Sequence, residues 1–403
     1  MTASRPASEA QARAAVHRPG PAAARIVYYV EGDEFGGVER HLLDVLGRLD
    51  RSRFDPIVMG VMHPELVSRL PDLKVPARVL PRVRSKFDHR SWRQVRAAIR
   101  DEHPAILHAM LSHSFADQYA IATAVMERTR AVLVTAHLPT PPSNRPQAWL
   151  RRMLMMGVDI QIAPSEWTRT ELVRLGQTGR RVEIVANGID TPALLPRDEA
   201  RARLGVPPDA FVVGGSMRLV EWKRPDLLVD VAQLLSDVDV VLIGDGPERA
   251  ALEASGKSTG RVHMAGFQPD APGLLTALDV FVHPCPHDNQ PIAVLEAMAS
   301  GVPVVVADQG GAATMIDHEH TGLRASPTAK DLAAAIDRLR RDRNLREACR
   351  NAALTEVATC FSIGAMVDRL ETLYDELLAS NRRGWPAVLR SGPTRSSSLG
   401  VTS

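Results

Sequence analysis

The strongest constraint on what this chain can fold into is a rhythm. Short apolar runs alternate with segments of helical spacing. Residues 25–30 (RIVYYV) predict a first strand, and Val38, Leu42, Val45, Leu46 and Leu49 then recur on one helical face. Residues 56–61, 105–108, 131–135, 160–163 and 182–186 predict further strands, with helices such as 92–100 and 167–175 between them. Strands apolar along their length and separated by helices demand a parallel sheet covered on both faces. A Pro-rich, charged stretch, 191–209, interrupts the pattern. It then restarts, with strands over 211–215, 238–243, 261–265, 280–283 and 302–307 and helices over 224–235, 248–254, 291–300 and 330–340. The expected fold class is therefore α/β: two doubly wound domains, 25–190 and 210–360, joined by a 191–209 linker and facing across a cleft. Ligands of such sheets lie beyond the carboxyl ends of the strands, so the cleft is the expected site.

Composition excludes several classes. At 403 residues the chain has the length of two domains. A formal charge of +2 and an aromatic content of 4% argue against nucleic acid as a partner. Cys285, Cys349 and Cys360 are odd in number and scattered, which suggests no disulfide framework, no metal site and a reducing, cytoplasmic setting. No apolar run approaches the ~18 residues of a membrane span. Residues 1–24, rich in Ala, Arg and Pro, are expected to be a disordered leader, and 381–403 a disordered tail.

Several residue groups have chemistry in prospect. Arg218 and Lys223, five apart in a loop after a strand, can reach one diphosphate from two sides. Lys223 is one of only five lysines among 49 basic residues, in a chain that otherwise prefers Arg. Asp288 stands in a loop, and Pro291 is expected at the first position of a helix capped near Asn289 or Gln290. Exposed amides around Gln290, Ile292 and Ala293 would then face an anion, aided by the helix dipole. Glu296, six residues past Gln290, stands roughly 9 Å further along the axis, the offset between a diphosphate and a ribose. Gly36 and Gly37 open a helix where backbone can approach a ligand. Asp245, in Gly244-Asp245-Gly246, and Phe267 follow two later strands and are candidate nucleotide neighbours. His108, His113 and His137 come at or after strand ends, on the expected cleft side. Asp237-Val238-Asp239 looks like a metal-binding pair but begins a strand, so it points away from the cleft. In 78–100 many cations alternate with Trp92, Val95 and Ile99, a pattern with two readings: a solvated basic helix or a peripheral membrane contact.

Together these pieces resemble the retaining family 4 glycosyltransferases of the GT-B fold, which pairs two Rossmann-like domains. The matching residues are Gly36-Gly37-Val38-Glu39, VEIVANGID at 182–190, Arg218 with Lys223, GDGPE at 244–248, and 288–303, an acid pair spaced E-x7-E leading into EAMASGVPVV. The resemblance implies that Arg218 and Lys223 hold the donor diphosphate, Glu296 the ribose and Asp288 the donor sugar, with Gly37 approaching from the other half. It also implies that residues 361–380 form a helix crossing back onto the first domain. Two departures stand out: Asp288 replaces the commoner Glu, and Gln290-Pro291 the usual Phe-Gly. The implied function is transfer of a sugar from a nucleotide diphosphate sugar, UDP-sugar before GDP-sugar, to an unknown hydroxyl acceptor with retention, without a further cofactor. Cell-surface glycans, glycolipids and secondary metabolites are the expected products. The alternatives are a nucleotide-sugar epimerase on the same plan, and a non-catalytic nucleotide-sugar binder.

Overall fold

The computed structural model describes residues 23–85 and 87–380. The expected tail, nearly all of the expected leader, and Lys86 lie outside the described residues. The first sheet holds β1 (Ala24–Glu31), β2 (Phe54–Val61), β3 (Ala77–Val79), β4 (Ile106–Leu111), β5 (Ala131–Ala136), β6 (Ile160–Ala163) and β7 (Arg181–Ile184). All pair in parallel, in the order β3-β2-β1-β4-β5-β6-β7. The second holds β8 (Phe211–Ser216), β9 (Val238–Ile243), β10 (Val262–Gly266), β11 (Val280–His283), β12 (Val304–Ala307) and β13 (Leu323–Ala325), ordered β10-β9-β8-β11-β12-β13. This is a Rossmann-like order in both halves. Each reverses direction beside its first strand, and the loops leaving the strands there open a crevice.

Every residue of β4, β5, β6, β11 and β12 is buried, as strands covered on both faces require. The two strands not anticipated, β3 and β13, are three-residue edges. Ala77 and Val79 are exposed, so neither a run nor an alternation marks them; pairing with β2 creates the strand.

The stretch expected as a linker carries a helix, Arg197–Leu204, which ends on Gly205 in the left-handed region (φ 67°). Its Arg201 is buried and donates to the carbonyls of Ala277 and Pro207 and to Asp279. These contacts bind the segment to the second half; Pro and charge in the sequence obscured an amphipathic turn.

Helix Ile363–Ala379 packs against the first sheet rather than the second. Met366, Val367, Leu370, Leu373, Tyr374 and Leu377 share a core with Tyr28, Val58 and Ile106. The Tyr374 hydroxyl lies 2.9 Å from that of Tyr28 and 2.7 Å from His108 Nδ1. Where the chain crosses, the Ile189 amide donates to the Phe361 carbonyl at 2.8 Å. A Cβ on Gly188 would come within 2.5 Å of the Ser362 carbonyl oxygen, so only glycine permits that crossing.

On the helix of the basic segment, Val95 and Ile99 turn inward. Helix His89–Glu102 buries Val95, Ala98 and Ile99 against the first sheet, and Trp92 donates to Thr123 Oγ1 at 3.1 Å. Arg78 pairs with Asp101, Arg82 with Glu31 and Asp33, and Arg96 with Glu127. The alternation is that of a helix covering a sheet. No helix among the described residues is long and apolar enough to cross a membrane.

Candidate active site

The site is built where the crevice of the second sheet meets the opening of helix Gly37–Arg48 in the first half. After β8 the chain turns through Arg218 to a single helical turn ending at Lys223. Lys223 Nζ is ion-paired with Asp288 Oδ2 and lies 4.5 Å from the centre of the Trp222 ring. Both partners of the pair are largely buried. His283, the last residue of β11, places Nε2 3.2 Å from the same carboxylate oxygen. Burial opposes ionisation of Asp288, but His283 and the Lys223 ammonium outweigh it and hold the carboxyl well below the usual range. Burial keeps the His283 imidazole neutral, shifted below its ordinary value.

His283, Cys285 and Asp288 bring their ligand atoms within 4.8 Å of one another. The donor set does not suit a cation. The Lys223 ammonium already occupies Asp288, and burial pushes the Cys285 thiol up, away from the thiolate a metal needs.

Glu296, partly buried, projects from helix Ile292–Ala299, and its carboxylate accepts no hydrogen bond from the described residues. Burial raises its carboxyl above the ordinary value, and the positive charge of Arg40, on helix Gly37–Arg48, draws it partly back. An acid of the second half thus faces a cation of the first. Arg218 bridges the halves as well, with Nη1 3.1 Å from Glu34 Oε2. Helix Glu166–Arg174 also packs on helix Gly310–Met315 of the second half.

Residues 196–355 match the model described as Glycosyl transferases group 1, and residues 35–192 the model described as Glycosyltransferase Family 4. Both halves of the cleft are therefore matched, in order, on the double Rossmann-like frame. The chain has the GT-B fold, and each half is similar to a glycosyltransferase family. A GDP-mannose-dependent alpha-mannosyltransferase of Mycobacterium tuberculosis is 29% identical over 72% of this chain and 80% of its own length. The lipopolysaccharide core biosynthesis glycosyltransferase LpsD of Rhizobium meliloti is 34% identical, over 50% of this chain and 59% of its own length. Among solved structures, Anabaena HepE in complex with UDP superposes with a TM-score of 0.77 at 22% identity, over 87% of this chain and all of that one.

Lys223 and Asp288 are in contact, while Arg218 and Glu296 face Glu34 and Arg40 of the first half; His108 does not join them. His108 is the third residue of β4, fully buried, with its ring nitrogens against Tyr374 and, at 2.7 Å, Thr135 Oγ1. It is a core histidine under the crossing helix, not a cleft residue. His137 follows β5, with its ring edge-on to the buried His41 at 5.1 Å; burial holds both well below the ordinary imidazole value, His41 at about 4. His113 is exposed and lines a cavity of about 460 Å³ with Glu31, Arg82 and Tyr119. Gln290 is buried and accepts from the Asn187 amide at 2.6 Å, a strut between the halves. Asn289 is buried beside it, and its Oδ1 has no hydrogen-bond partner. Pro291 caps the helix, which begins one residue later than expected, at Ile292.

Gly36 is the cap of its helix, and its amide is held by Glu39 Oε2 at 2.9 Å; a Cβ on Gly37 would meet open space. Gly244 and Gly246 have a packing role: Cβ atoms there would lie 1.9 and 2.3 Å from the carbonyl oxygens of Met217 and Leu219. Asp245 is tied into its own loop through the Gly246 amide. Phe267 stands exposed at the end of β10.

Sequence reasoning missed Arg40, Glu34, His283 and the Gly310-Gly311 pair. A Cβ on Gly311 would lie 1.2 Å from the Asn289 carbonyl oxygen, and its amide donates to the Asp288 carbonyl at 2.6 Å. The signal was present: two glycines opening a helix after a strand, as at Gly36-Gly37. Also missed was Arg151, which is buried with no partner for its guanidinium nitrogens, near the buried Asp117.

Proposed function

We propose that this glycosyltransferase moves a hexosyl group from a nucleotide diphosphate sugar to an acceptor hydroxyl with retention of configuration. UDP-sugar is the favoured donor, and cell-surface glycans or glycolipids are the favoured products, with secondary metabolites as the further class. The observation that carries the proposal is the largely buried Lys223–Asp288 ion pair, with Arg218 facing Glu34 and Glu296 facing Arg40 of the first half. Solved relatives support the donor class: HepE has been crystallised with UDP and with UDP-glucose. Curated relatives include a GDP-mannose-dependent enzyme, and an Escherichia coli enzyme named for UDP-Gal that is 27% identical over 50% of this chain.

In this reading, Lys223 and Arg218 bind the diphosphate, and their charge counts most as the leaving group gathers negative charge. Asp288, ionised at all working pH values, orders Lys223 and takes hydroxyls of the sugar. Glu296 receives the ribose hydroxyls, which supply the hydrogen bonds its carboxylate lacks. The departing phosphate accepts the proton of the acceptor hydroxyl on the same face of the sugar, so no separate base is required. Shielding by the first half limits hydrolysis.

The test is a thermal-shift panel of UDP, GDP and their sugars, followed by nucleotide-release assays. A ligand at ~100 times its dissociation constant adds about 2.7 kcal/mol. Lys223→Ala is expected to abolish the shift. A shift that persists undiminished overturns the diphosphate assignment. Epimerised donor without free nucleotide would instead establish the epimerase, and a shift without turnover of any donor the non-catalytic binder.

A further inference from the structure

Helix Arg145–Met155 carries an apolar face on the wrong side for a helix that only covers a sheet. Trp149 is 64% exposed, Leu150 55% and Met153 39%, and Met156, just past the last turn, is 39% exposed. At ~100° per residue, positions 149, 153 and 156 form one stripe with 150 beside it. The inward face instead buries Met155 and the charged Arg151. Exposed apolar side chains are ordinary when scattered; contiguous on one helix they mark a contact surface.

The charge on this surface is one-sided. From Leu138 to Val158 the sequence has no Asp or Glu. Arg145 and Arg152 are exposed and make no ion pair among the described residues. Arg145 even opens the helix, where a cation opposes the helix dipole and no acid balances it. These choices do little for the helix itself, but they suit an anionic surface outside it.

We propose that this face docks on an anionic lipid bilayer, with Trp149, Leu150 and Met153 in the headgroup boundary and Arg145 and Arg152 on lipid phosphates. A second copy of the chain is the poorer occupant. One face of an 11-residue helix offers far less than the ~800 Å² per partner of a stable interface, and two-fold pairing would set the arginines against each other. The docked helix would also adjoin the first-half cavity. The loop leading into it is tied by reciprocal bonds between Thr140 and Ser114, 3.2 and 2.9 Å, and the neighbouring Ser112, His113, Phe115 and Ala116 line that cavity.

The test is flotation of the full chain with vesicles of phosphatidylcholine alone or containing phosphatidylglycerol, at physiological salt. Wild type is expected to float with the anionic vesicles only. Trp149→Ser with Met153→Ser, and separately Arg145→Gln with Arg152→Gln, are each expected to weaken binding about tenfold or more. These positions are exposed, so thermal midpoint and the nucleotide-induced shift should be unchanged, which separates this proposal from the donor-site reading. Failure of wild type to float, flotation undiminished in either double variant, or a dimer that the apolar substitutions dissolve without any vesicle binding would overturn it.

Discussion

Glu296→Gln is expected to make the empty protein more stable and the donor complex weaker. The acid is partly buried, its carboxylate accepts no hydrogen bond from the described residues, and it is shifted upward by burial with only Arg40 opposing. Each unit of upward shift corresponds to about 1.4 kcal/mol of cost for keeping the carboxylate ionised. Gln removes that cost at nearly the same volume. Because the folded-state value lies above the unfolded value near 4.5, the wild type loses stability as pH rises through the folded value. The advantage of the variant should therefore be full at neutral pH and vanish below about pH 4.5. With donor bound the sign reverses. Hydrogen bonds to a charged acceptor are worth about 1.5–3 kcal/mol, so affinity for UDP should fall about 10- to 150-fold. Urea denaturation across pH measures the first effect and calorimetric titration with UDP the second. A variant less stable at neutral pH when empty, or one that binds UDP as tightly as wild type, would refute the reasoning.

Tyr374→Phe strips a partner from His108 and from Tyr28 in the first-half core, at about 1–3 kcal/mol for each orphaned group; a loss under about 0.5 kcal/mol in urea unfolding would contradict the role assigned to the crossing helix. Gly311→Ala forces a Cβ onto the Asn289 carbonyl, so the Asp288 loop must shift and the UDP-induced thermal shift should largely disappear; an unchanged shift counts against that loop as part of the donor site. Glu34→Gln breaks an exposed ion pair across the cleft and should change the melting temperature by little, since such pairs contribute about 0–1 kcal/mol; a larger loss would mean that this pair holds the halves together.

The glycine pairs show how far local chemistry reaches. Gly36-Gly37 was visible as a helix opening, yet only the packing of Gly311 against Asn289 shows why a second pair was needed. Likewise the spacing of Asp288 and Glu296 was visible, but not that one would be held ionised by His283 and Lys223 and the other left short of partners. Both outcomes depend on neighbours far away in the chain.

Periodicity alone determined the two doubly wound halves, because a strand buried on both faces must be apolar throughout and a covering helix must be apolar on one side. It also put Arg218, Lys223 and Asp288 in segments that follow strands, and Glu296 on the next helix. Tertiary structure alone decided the fate of the histidines and of the apolar faces of helices His89–Glu102 and Arg145–Met155. His108 went under Tyr374, Val95 and Ile99 turned inward, and Trp149 turned outward. The reason is physical: residue type and spacing specify which face of an element is apolar, but what covers that face is set by other elements, some of them distant in the chain.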